Sequence, residues 1–222
     1  MYLNLTHELN KKTPTYGNRN VFSIHEVKKS DSKHRSASCK IQLHNHTGTH
    51  IDFPSHFIKN GKNFSSYKKK FFLFKKILLI RINILKNSYL INNDDFKKKK
   101  TKIKNKDVDF VLIKTNFGKL RKKNRNKFIF DGPGIKSEVA LYLKKKFPNL
   151  KCIGFNFISL SSFKHSLEGK KSHIEFLKRN ILIIEDMNLE QIKYNMLIKE
   201  LFCIPLPVKE IDGSPCNIIA KI

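Results

Sequence analysis

The second half of the chain alternates short apolar runs with an amphipathic helical pattern, and this alternation limits the fold more than any other feature. Residues 108–114, 152–157 and 181–184 are apolar runs of strand length. Between the first two runs, residues 137–147 place apolar side chains at helical spacing, begin at a candidate N-cap, Ser137, and end in a run of lysines. Strands that alternate with helices are typical of α/β proteins, so α/β is the predicted fold class.

The rest of the chain adds elements but shows no internal repeat and no linker, so we expect a single domain over residues 1–222. Further strands are predicted at residues 2–9, 20–27, 38–44, 71–74, 77–84, 201–206 and 217–222. A short helix is predicted at 172–179 and a turn of helix at 188–192, with another short helix inside the charged segment 92–107. Loops or turns are predicted at residues 13–18, 58–66, 115–127, 131–134 and 165–171.

The segment LHNHTGTHIDFPSHF, residues 43–57, is the candidate functional site. His46, His50 and Asp52 are separated by even numbers of residues, so on an extended strand their side chains share one face. Gly48 lies between them on that face and has no side chain, which leaves room for a metal ion. A helix is the poorer interpretation because glycine, threonine and proline disfavour it. Two imidazoles and a carboxylate suit Zn²⁺ or a similar divalent ion.

Two further histidines flank this segment. Pro54 is expected to end the strand, because it has no N–H to donate to the ladder. His56 follows just beyond that end, in a position that fits a proton-transfer group. His44 shares the even spacing, but we expect it in the outer shell of the site or on the plain surface. A lone histidine is usually an ordinary surface or core residue, whereas three histidines and an aspartate at even spacing are much less often a coincidence.

The net charge of +27 allows two interpretations. A polyanion partner would use Lys and Arg to neutralise phosphates. Compositional bias is the alternative, because Lys, Asn, Ile and Phe are abundant and Trp is absent. The lysines stand in scattered runs, at 68–70, 97–100, 122–123 and 144–146, without interleaved aromatic residues. We favour bias and solvated loops over nucleic-acid binding, and steering of an anionic substrate stays open.

The sequence also bears on location and redox state. Its first residues lack the apolar core of a signal peptide. The longest apolar stretch, residues 71–85, is interrupted by charges and is too short to span a bilayer. We therefore expect a cytoplasmic protein without membrane contact. The four cysteines are widely scattered, which predicts free, reduced thiols.

His173 and Glu185 are weaker candidates for the same site. His173 lies on the predicted helix 172–179, where an ordinary surface histidine is the alternative. Glu185 directly follows four aliphatic residues, and the alternative for this carboxylate is a salt bridge to one of the many lysines.

Residues 46–56, HTGTHIDFPSH, resemble the HxGTHxDxPxH signature of the cyclase-like metal hydrolases, a group that contains bacterial kynurenine formamidase and isatin hydrolase. Weaker similarities follow in the family's order along nearly the whole chain. They are residues 4–7, 132–135, the pair Ser172-His173 with Glu185, residues 204–207 and residues 212–215. Where many members have Gly-x-Asp, this chain has Asn156, which replaces a carboxylate near the site by an amide.

The resemblance implies a mixed, partly barrel-like sheet flanked by helices, of the swivelling β/β/α type, and a homodimer or larger assembly. It implies one or two Zn²⁺ ions, with Mn²⁺ as the alternative. His46, His50 and Asp52 would hold one ion and His173 the second, with Asp52 and Glu185 able to bridge. His56 would be the general acid and base.

The activity implied is hydrolysis of a small amide by metal-activated water. The first hypothesis is an aryl formamidase, which converts N-formylkynurenine and water to kynurenine and formate. A hydrolase that opens a cyclic amide such as isatin is the second, and a basic nucleic-acid-binding protein with a vestigial metal site is the third. Tyr16, Phe53 and Phe57 are candidates for the apolar wall around an aromatic substrate, with ordinary core packing as the alternative.

Overall fold

The computed structural model describes residues 1–19, 22–28, 36–97, 104–193 and 196–222. The strands in these ranges are β1 (Tyr2–Asn4), β2 (Ser23–Lys28), β3 (Ser38–Gln42), β4 (His50–Asp52), β5 (Leu73–Phe74), β6 (Ile77–Ile82), β7 (Leu90–Ile91), β8 (Phe110–Thr115), β9 (Gly134–Ile135), β10 (Cys152–Phe155), β11 (Leu182–Glu185), β12 (Glu200–Pro205) and β13 (Gly213–Lys221). The α-helices are α1 (Asp94–Lys97), α2 (Leu120–Lys123), α3 (Arg125–Phe130), α4 (Glu138–Lys146) and α5 (Ser166–Leu177).

One mixed sheet organises the molecule. Its strand order is β5-β12-β13-β4-β11-β10-β8-β6, with β1 added antiparallel to β13. Strands β6, β8, β10 and β11 are mutually parallel, whereas β4 is antiparallel to both of its neighbours, β11 and β13. Short β4 therefore joins the parallel half of the sheet to the antiparallel half. The mixed α/β fold with a nearly closed, barrel-like sheet flanked by helices is confirmed.

Alternate residues of the central strands enter two separate cores. In β8, Val111 and Ile113 pack in the core that also contains Val139, Ala140 and Leu143 of α4. Phe110 and Leu112 point the other way, into the core shared with β4 and β13. Both faces of the parallel strands are thus covered, which explains why these segments are almost continuously apolar in sequence.

The basic segment 115–127, predicted as a loop, is largely helical, so that prediction is wrong. A 3₁₀ helix at Asn116–Lys119 leads into α2 and α3. Side-chain caps begin two of these turns, since Thr115 accepts from the Phe117 N–H and Asn124 from the Lys127 N–H. The lysines conceal the helical pattern, while Phe117 and Phe128 are buried and anchor the segment.

The loop predicted at residues 165–171 is also wrong, because α5 begins at Ser166 rather than at residue 172. Gly169 of this helix packs so closely on Ser161 that a Cβ would lie 1.8 Å from the serine Oγ. The Glu168 carboxylate also accepts hydrogen bonds from the backbone and the hydroxyl of Ser137, both at 2.8 Å. Tertiary contacts therefore extend a helix that local hydropathy does not show. The hydroxyl of Ser137 is engaged here and does not cap α4.

Other boundaries differ by a few residues. Strand β1 ends at Asn4 instead of residue 9, β13 starts at Gly213 instead of 217, and residues 188–192 form turns without a helix. Strands β2 and β3 form an antiparallel ribbon, much of it exposed. Cys39, Cys152, Cys203 and Cys216 are all free, as predicted. Among the described residues, no helix has the length and apolarity needed to cross a membrane.

Candidate metal centre

Strand β4 positions His50 and Asp52 at the seam of the sheet. Their side chains share one face of the strand, while Ile51 and Phe53 on the other face are fully buried in the second core. On the neighbouring strand, Glu185 lies directly opposite His50 in the register of β4 and β11. The short strand thus places His50 and Asp52 next to Glu185 of the neighbouring strand.

His46 reaches the same place by a different route from the one predicted. The expected extended strand from residue 46 is wrong, because residues 45–49 form turns and the strand begins only at His50. Gly48 adopts a φ of +67°, a left-handed conformation that glycine tolerates best. A Cβ at Gly48 would also lie 2.5 Å from the Leu9 side chain. Room for the turn, rather than room for an ion, explains the glycine.

Two histidines and two carboxylates form a buried cluster. His50 Nε2 lies 3.5 Å from Asp52 Oδ1 and 3.5 Å from Glu185 Oε2. His173 Nε2 lies 3.7 Å from Asp52 Oδ2 and 3.4 Å from Glu185 Oε1. Ligand atoms about 2.0–2.1 Å from a tetrahedral zinc ion are roughly 3.4 Å apart, so this spacing fits shared coordination better than hydrogen bonding.

Backbone carbonyls orient both histidines of this cluster. His50 Nδ1 lies 2.8 Å from Gly48 O, and His173 Nδ1 lies 2.8 Å from Gly169 O. A carbonyl oxygen only accepts, so each Nδ1 donates to it, and each Nε2 is the nitrogen left to face the carboxylates or an ion. Metal-binding histidines are commonly fixed in this way. The donor set therefore fits a divalent ion.

Glu185 is held by two donors from the segment after β10. The Ser159 hydroxyl and the Leu160 N–H donate to Glu185 Oε1, at 3.0 and 2.6 Å. These bonds fix the carboxylate, with Oε2 turned toward His50. Because Oε1 already accepts two hydrogen bonds, it has less capacity for a metal than Oε2.

His46 and His56 share a second carboxylate that the sequence analysis missed, Asp212. His46 donates from Nδ1 to Asp52 Oδ1 at 2.9 Å and from Nε2 to Asp212 Oδ2 at 3.3 Å. His56 Nδ1 lies 3.0 Å from Asp212 Oδ2, and the two imidazole rings stack with centroids 3.9 Å apart. Asn45 also donates to Asp212, at 2.6 Å. Gly213 allows this packing, since a Cβ there would lie 2.2 Å from the His46 ring.

The carboxylates dominate the electrostatics around these rings. Burial lowers the pKa of His46, but hydrogen bonds to Asp212 and Asp52 raise it to about 10. The hydrogen bond from His46 is the largest effect on the pKa of Asp212 and lowers it. Burial raises the pKa of Asp52, but His46 outweighs burial and lowers it. Burial is also the main cause that lowers the pKa of His56. The pKa of buried His173 is raised because Glu185 outweighs the burial that lowers it.

A cavity of about 310 Å³ opens beside the cluster. Tyr16 and Phe57 line it, together with the ring edges of the site histidines. Phe57 stacks on His173 with centroids 4.5 Å apart, and the Tyr16 hydroxyl lies 3.3 Å from Ser161 Oγ. Lys170 lies at its border and is exposed.

Three sequence candidates lie away from the cavity. Phe53, which directly follows β4, points away from His50 and Asp52 and packs against Phe64 and Phe72 in the second core, so its assignment to the substrate wall is wrong. His44 is exposed, which fits plain surface. The side-chain amide of Asn156 accepts a hydrogen bond from the Thr115 N–H at 2.8 Å and donates one to the Thr115 carbonyl at 2.9 Å. These two bonds join the end of β10 to β8.

The sequence signals for the missed residues were weak. Asp212 belongs to the segment 212–215, which the family resemblance had already matched, but only as a closing strand. Ser159 lies in the unremarkable stretch SLSS and acts through its hydroxyl on a residue 26 positions later.

Comparison with known proteins gives a family match and two similar relatives. Residues 3–161 match the model of the Cyclase family, whose description is "Putative cyclase". Kynurenine formamidase of Bacillus thuringiensis subsp. konkukian is 28% identical over 231 residues, which cover 99% of this chain and 97% of that protein. An uncharacterized protein of Methanocaldococcus jannaschii is 29% identical over 185 residues, 82% of this chain and 81% of that protein.

Solved structures share the fold. Isatin hydrolase A from Labrenzia aggregata, bound to benzyl benzoate, gives a TM-score of 0.79 at 16% identity and covers 99% of this chain and 93% of that chain. An isatin hydrolase bound to the product analogue thioisatinate gives 0.78 at 18% identity, over 100% and 92% of the two chains. At this level of identity, the similarity shows the architecture alone.

Proposed function

The chain belongs to the Cyclase family, and from this premise we propose that it is a metal-dependent hydrolase of an N-formylated aromatic amine, with N-formylkynurenine as the substrate. The supporting observation is the buried cluster of His50, Asp52, His173 and Glu185, of which the two histidines and Glu185 line a cavity together with Tyr16 and Phe57. The kynurenine formamidase relative, similar over almost its whole length, supports the choice of reaction.

The two carboxylates of this cluster, Asp52 and Glu185, would serve one or two divalent ions. His50 Nε2, Asp52 Oδ1 and Glu185 Oε2 would hold the first ion, with His46 as a further ligand once its proton is released. His173 would hold the second, together with Asp52 and Glu185. Since Glu185 Oε1 already accepts two hydrogen bonds, the first position should bind more tightly. Nitrogen and oxygen ligands suit Zn²⁺, with Mn²⁺ as the alternative.

Held by these residues, a divalent ion would supply Lewis-acid chemistry, which polarises an amide carbonyl and lowers the pKa of water to about 7. Side chains of the protein would carry out the proton transfer and the binding of the substrate.

We assign the proton transfer to His56. Because the pKa of Asp212 is lowered, its side chain is an ionised carboxylate. It accepts a hydrogen bond from His56 Nδ1 at 3.0 Å. The proton on Nδ1 leaves Nε2 as the basic nitrogen, and burial, which lowers the pKa of His56, favours the neutral ring. His56 would therefore take a proton from the attacking water and return it to the leaving nitrogen. Asp212 would stabilise the imidazolium formed between these steps.

The cavity supports a small substrate with one aromatic ring. Its volume of about 310 Å³ lies at the lower end of the roughly 300–1,000 Å³ typical of ligand pockets. Phe57 and Tyr16 would pack against the ring. Lys170 at the border has no ion-pair partner among the described residues, and it would pair with the carboxylate of an amino-acid substrate. Isatin has no carboxylate, so this lysine favours the formamidase over the ring-opening reaction.

The decisive experiment compares N-formylkynurenine, isatin and formanilide as substrates, with Zn²⁺ and Mn²⁺ supplied in turn and metal content measured in parallel. We expect fastest hydrolysis of N-formylkynurenine. The variant Lys170→Gln should raise KM for this substrate but not for formanilide, and Lys171→Gln, one residue further along α5, serves as the matched control. Faster opening of isatin would overturn the substrate assignment, and protein that binds no divalent ion would overturn the reaction class.

His56→Ala tests the proton-transfer role separately. We expect kcat to fall by about 10²–10⁴-fold while the metal content stays that of the wild-type protein. Loss of metal in this variant would instead make His56 a ligand.

A further inference from the structure

A second cavity, of about 770 Å³, lies apart from the metal centre. It opens at the carboxyl ends of three parallel strands, where Ile82 ends β6, Thr115 ends β8 and Asn156 follows β10. Helix α2 and residues 187–190 form its other walls. Crevices at the carboxyl ends of parallel strands are where open α/β sheets usually bind ligands.

The lining of this second cavity is strongly basic. Five cationic side chains line it: Arg81, Lys114, Lys119, Lys122 and Lys123. Among the described residues of the lining, Glu190 is the one carboxylate. His7 adds no charge at neutral pH, since burial, followed by Arg121 and Lys122, lowers its pKa to about 3. The cavity therefore has a net charge of about +4.

The lysines among these cations have few ion-pair partners within the described residues. Lys122 pairs with Glu190 at 3.0 Å. Lys114 donates to the carbonyl oxygen of Ile192 at 2.7 Å, which satisfies a hydrogen bond but not the charge. Lys119 and Lys123 form no ion pair within the part of the chain that the structure describes. Burial, followed by the nearby Arg81 and Lys119, lowers the pKa of Lys114, as expected where cations repel each other.

We propose that this cavity binds a small, multiply charged phosphate-bearing anion, such as a polyphosphate or a nucleotide. Its volume falls within the range of small-molecule pockets. A concave site at strand ends favours a compact anion over a nucleic acid, which needs a basic surface along an extended track. Compositional bias accounts for lysines spread over the surface, but it does not predict five cations around one hollow with a single carboxylate.

Calorimetric titration with tripolyphosphate, ATP and AMP at physiological salt tests the proposal. The protein is used both as purified and after dialysis against EDTA, because phosphates also bind metal ions. We expect one site per chain, affinity for tripolyphosphate or ATP above that for AMP, and no change after dialysis. The variant Lys119→Gln/Lys123→Gln should weaken binding by about tenfold or more. Lys104→Gln/Lys106→Gln removes the same charge from an exposed segment elsewhere and should change the affinity less than about twofold.

Three results would overturn this proposal. Equal weakening by both double variants would assign the binding to net charge. Loss of binding after EDTA dialysis would assign it to the metal centre. A short single-stranded RNA that binds more tightly than ATP, and loses affinity in Lys119→Gln/Lys123→Gln, would make the partner a nucleic acid. The proposed hydrolase activity is independent of all three, so failure here leaves it intact.

Discussion

Replacing Gly213 with alanine tests whether the position of the His46 ring matters to the metal centre. Gly213 begins β13 directly opposite Asp52, and the His46 imidazole lies against its Cα. An added Cβ would lie 2.2 Å from His46 Cε1 and less than 3 Å from both ring nitrogens. Since such contacts need about 3.4 Å or more, the ring must retreat by at least about 1 Å.

The expected effect follows from the bonds that this movement breaks. His46 would lose hydrogen bonds to two carboxylates, Asp52 and Asp212, and bonds to charged groups contribute about 1.5–3 kcal/mol each when well formed. Overpacking adds a loss of about 1–3 kcal/mol in the free energy of unfolding. A displacement of about 1 Å near reacting groups reduces turnover by about 10²-fold.

The measurements are metal affinity by competition with a chelating dye, the free energy of unfolding in urea, and turnover of N-formylkynurenine. Gly154→Ala is the matched control, because its Cβ would meet Met187 Sδ at 2.5 Å and the Phe110 ring at 2.8 Å, away from the cluster. It should lose stability but keep its metal affinity. Wild-type affinity and turnover in Gly213→Ala would refute the reasoning, as would an equal loss of metal in the control.

Three other predictions concern packing, a buried ion pair and metal removal. Phe57→Ala should raise KM for an aromatic substrate, whereas Phe53→Ala should cost about 3–5 kcal/mol in unfolding free energy; equal effects on KM would contradict the assignment of faces. Arg121→Met should cost about 3–5 kcal/mol in urea unfolding because it leaves buried Asp186 without its partner, and adding Asp186→Asn should recover part of that loss. Chelation should lower the melting temperature of the wild type, since an ion present at 100 times its Kd stabilises by about 2.7 kcal/mol, but it should not affect Asp52→Ala.

Alternation along a strand was sufficient to place part of the site. It correctly grouped His50 with Asp52, and it also separates them from Phe53, whose odd spacing sends it into the core. His46 joins them through the turn at Gly48, which a two-residue period does not describe. The three side chains meet as expected, but His46 arrives through a turn and not along an extended strand.

Contacts between distant segments account for what the sequence did not reveal. Asp212 lies 156 residues from His56, and no local pattern links the two. The basic helix α2 depends on buried Phe117 and Phe128 in the elements on either side of it, and α5 depends on the close fit of Gly169 to Ser161. The apolar runs were reliable because strands covered on both faces need such sequences wherever they occur.

The place of β13 beside β4 has a consequence for biosynthesis. Asp212 and Gly213, which hold the His56 and His46 rings, are translated more than 150 residues after these histidines. A nascent chain therefore exposes His46 and His56 well before the strand that restrains them leaves the ribosome. The two rings can reach their final arrangement only after Asp212 and Gly213 have been synthesised.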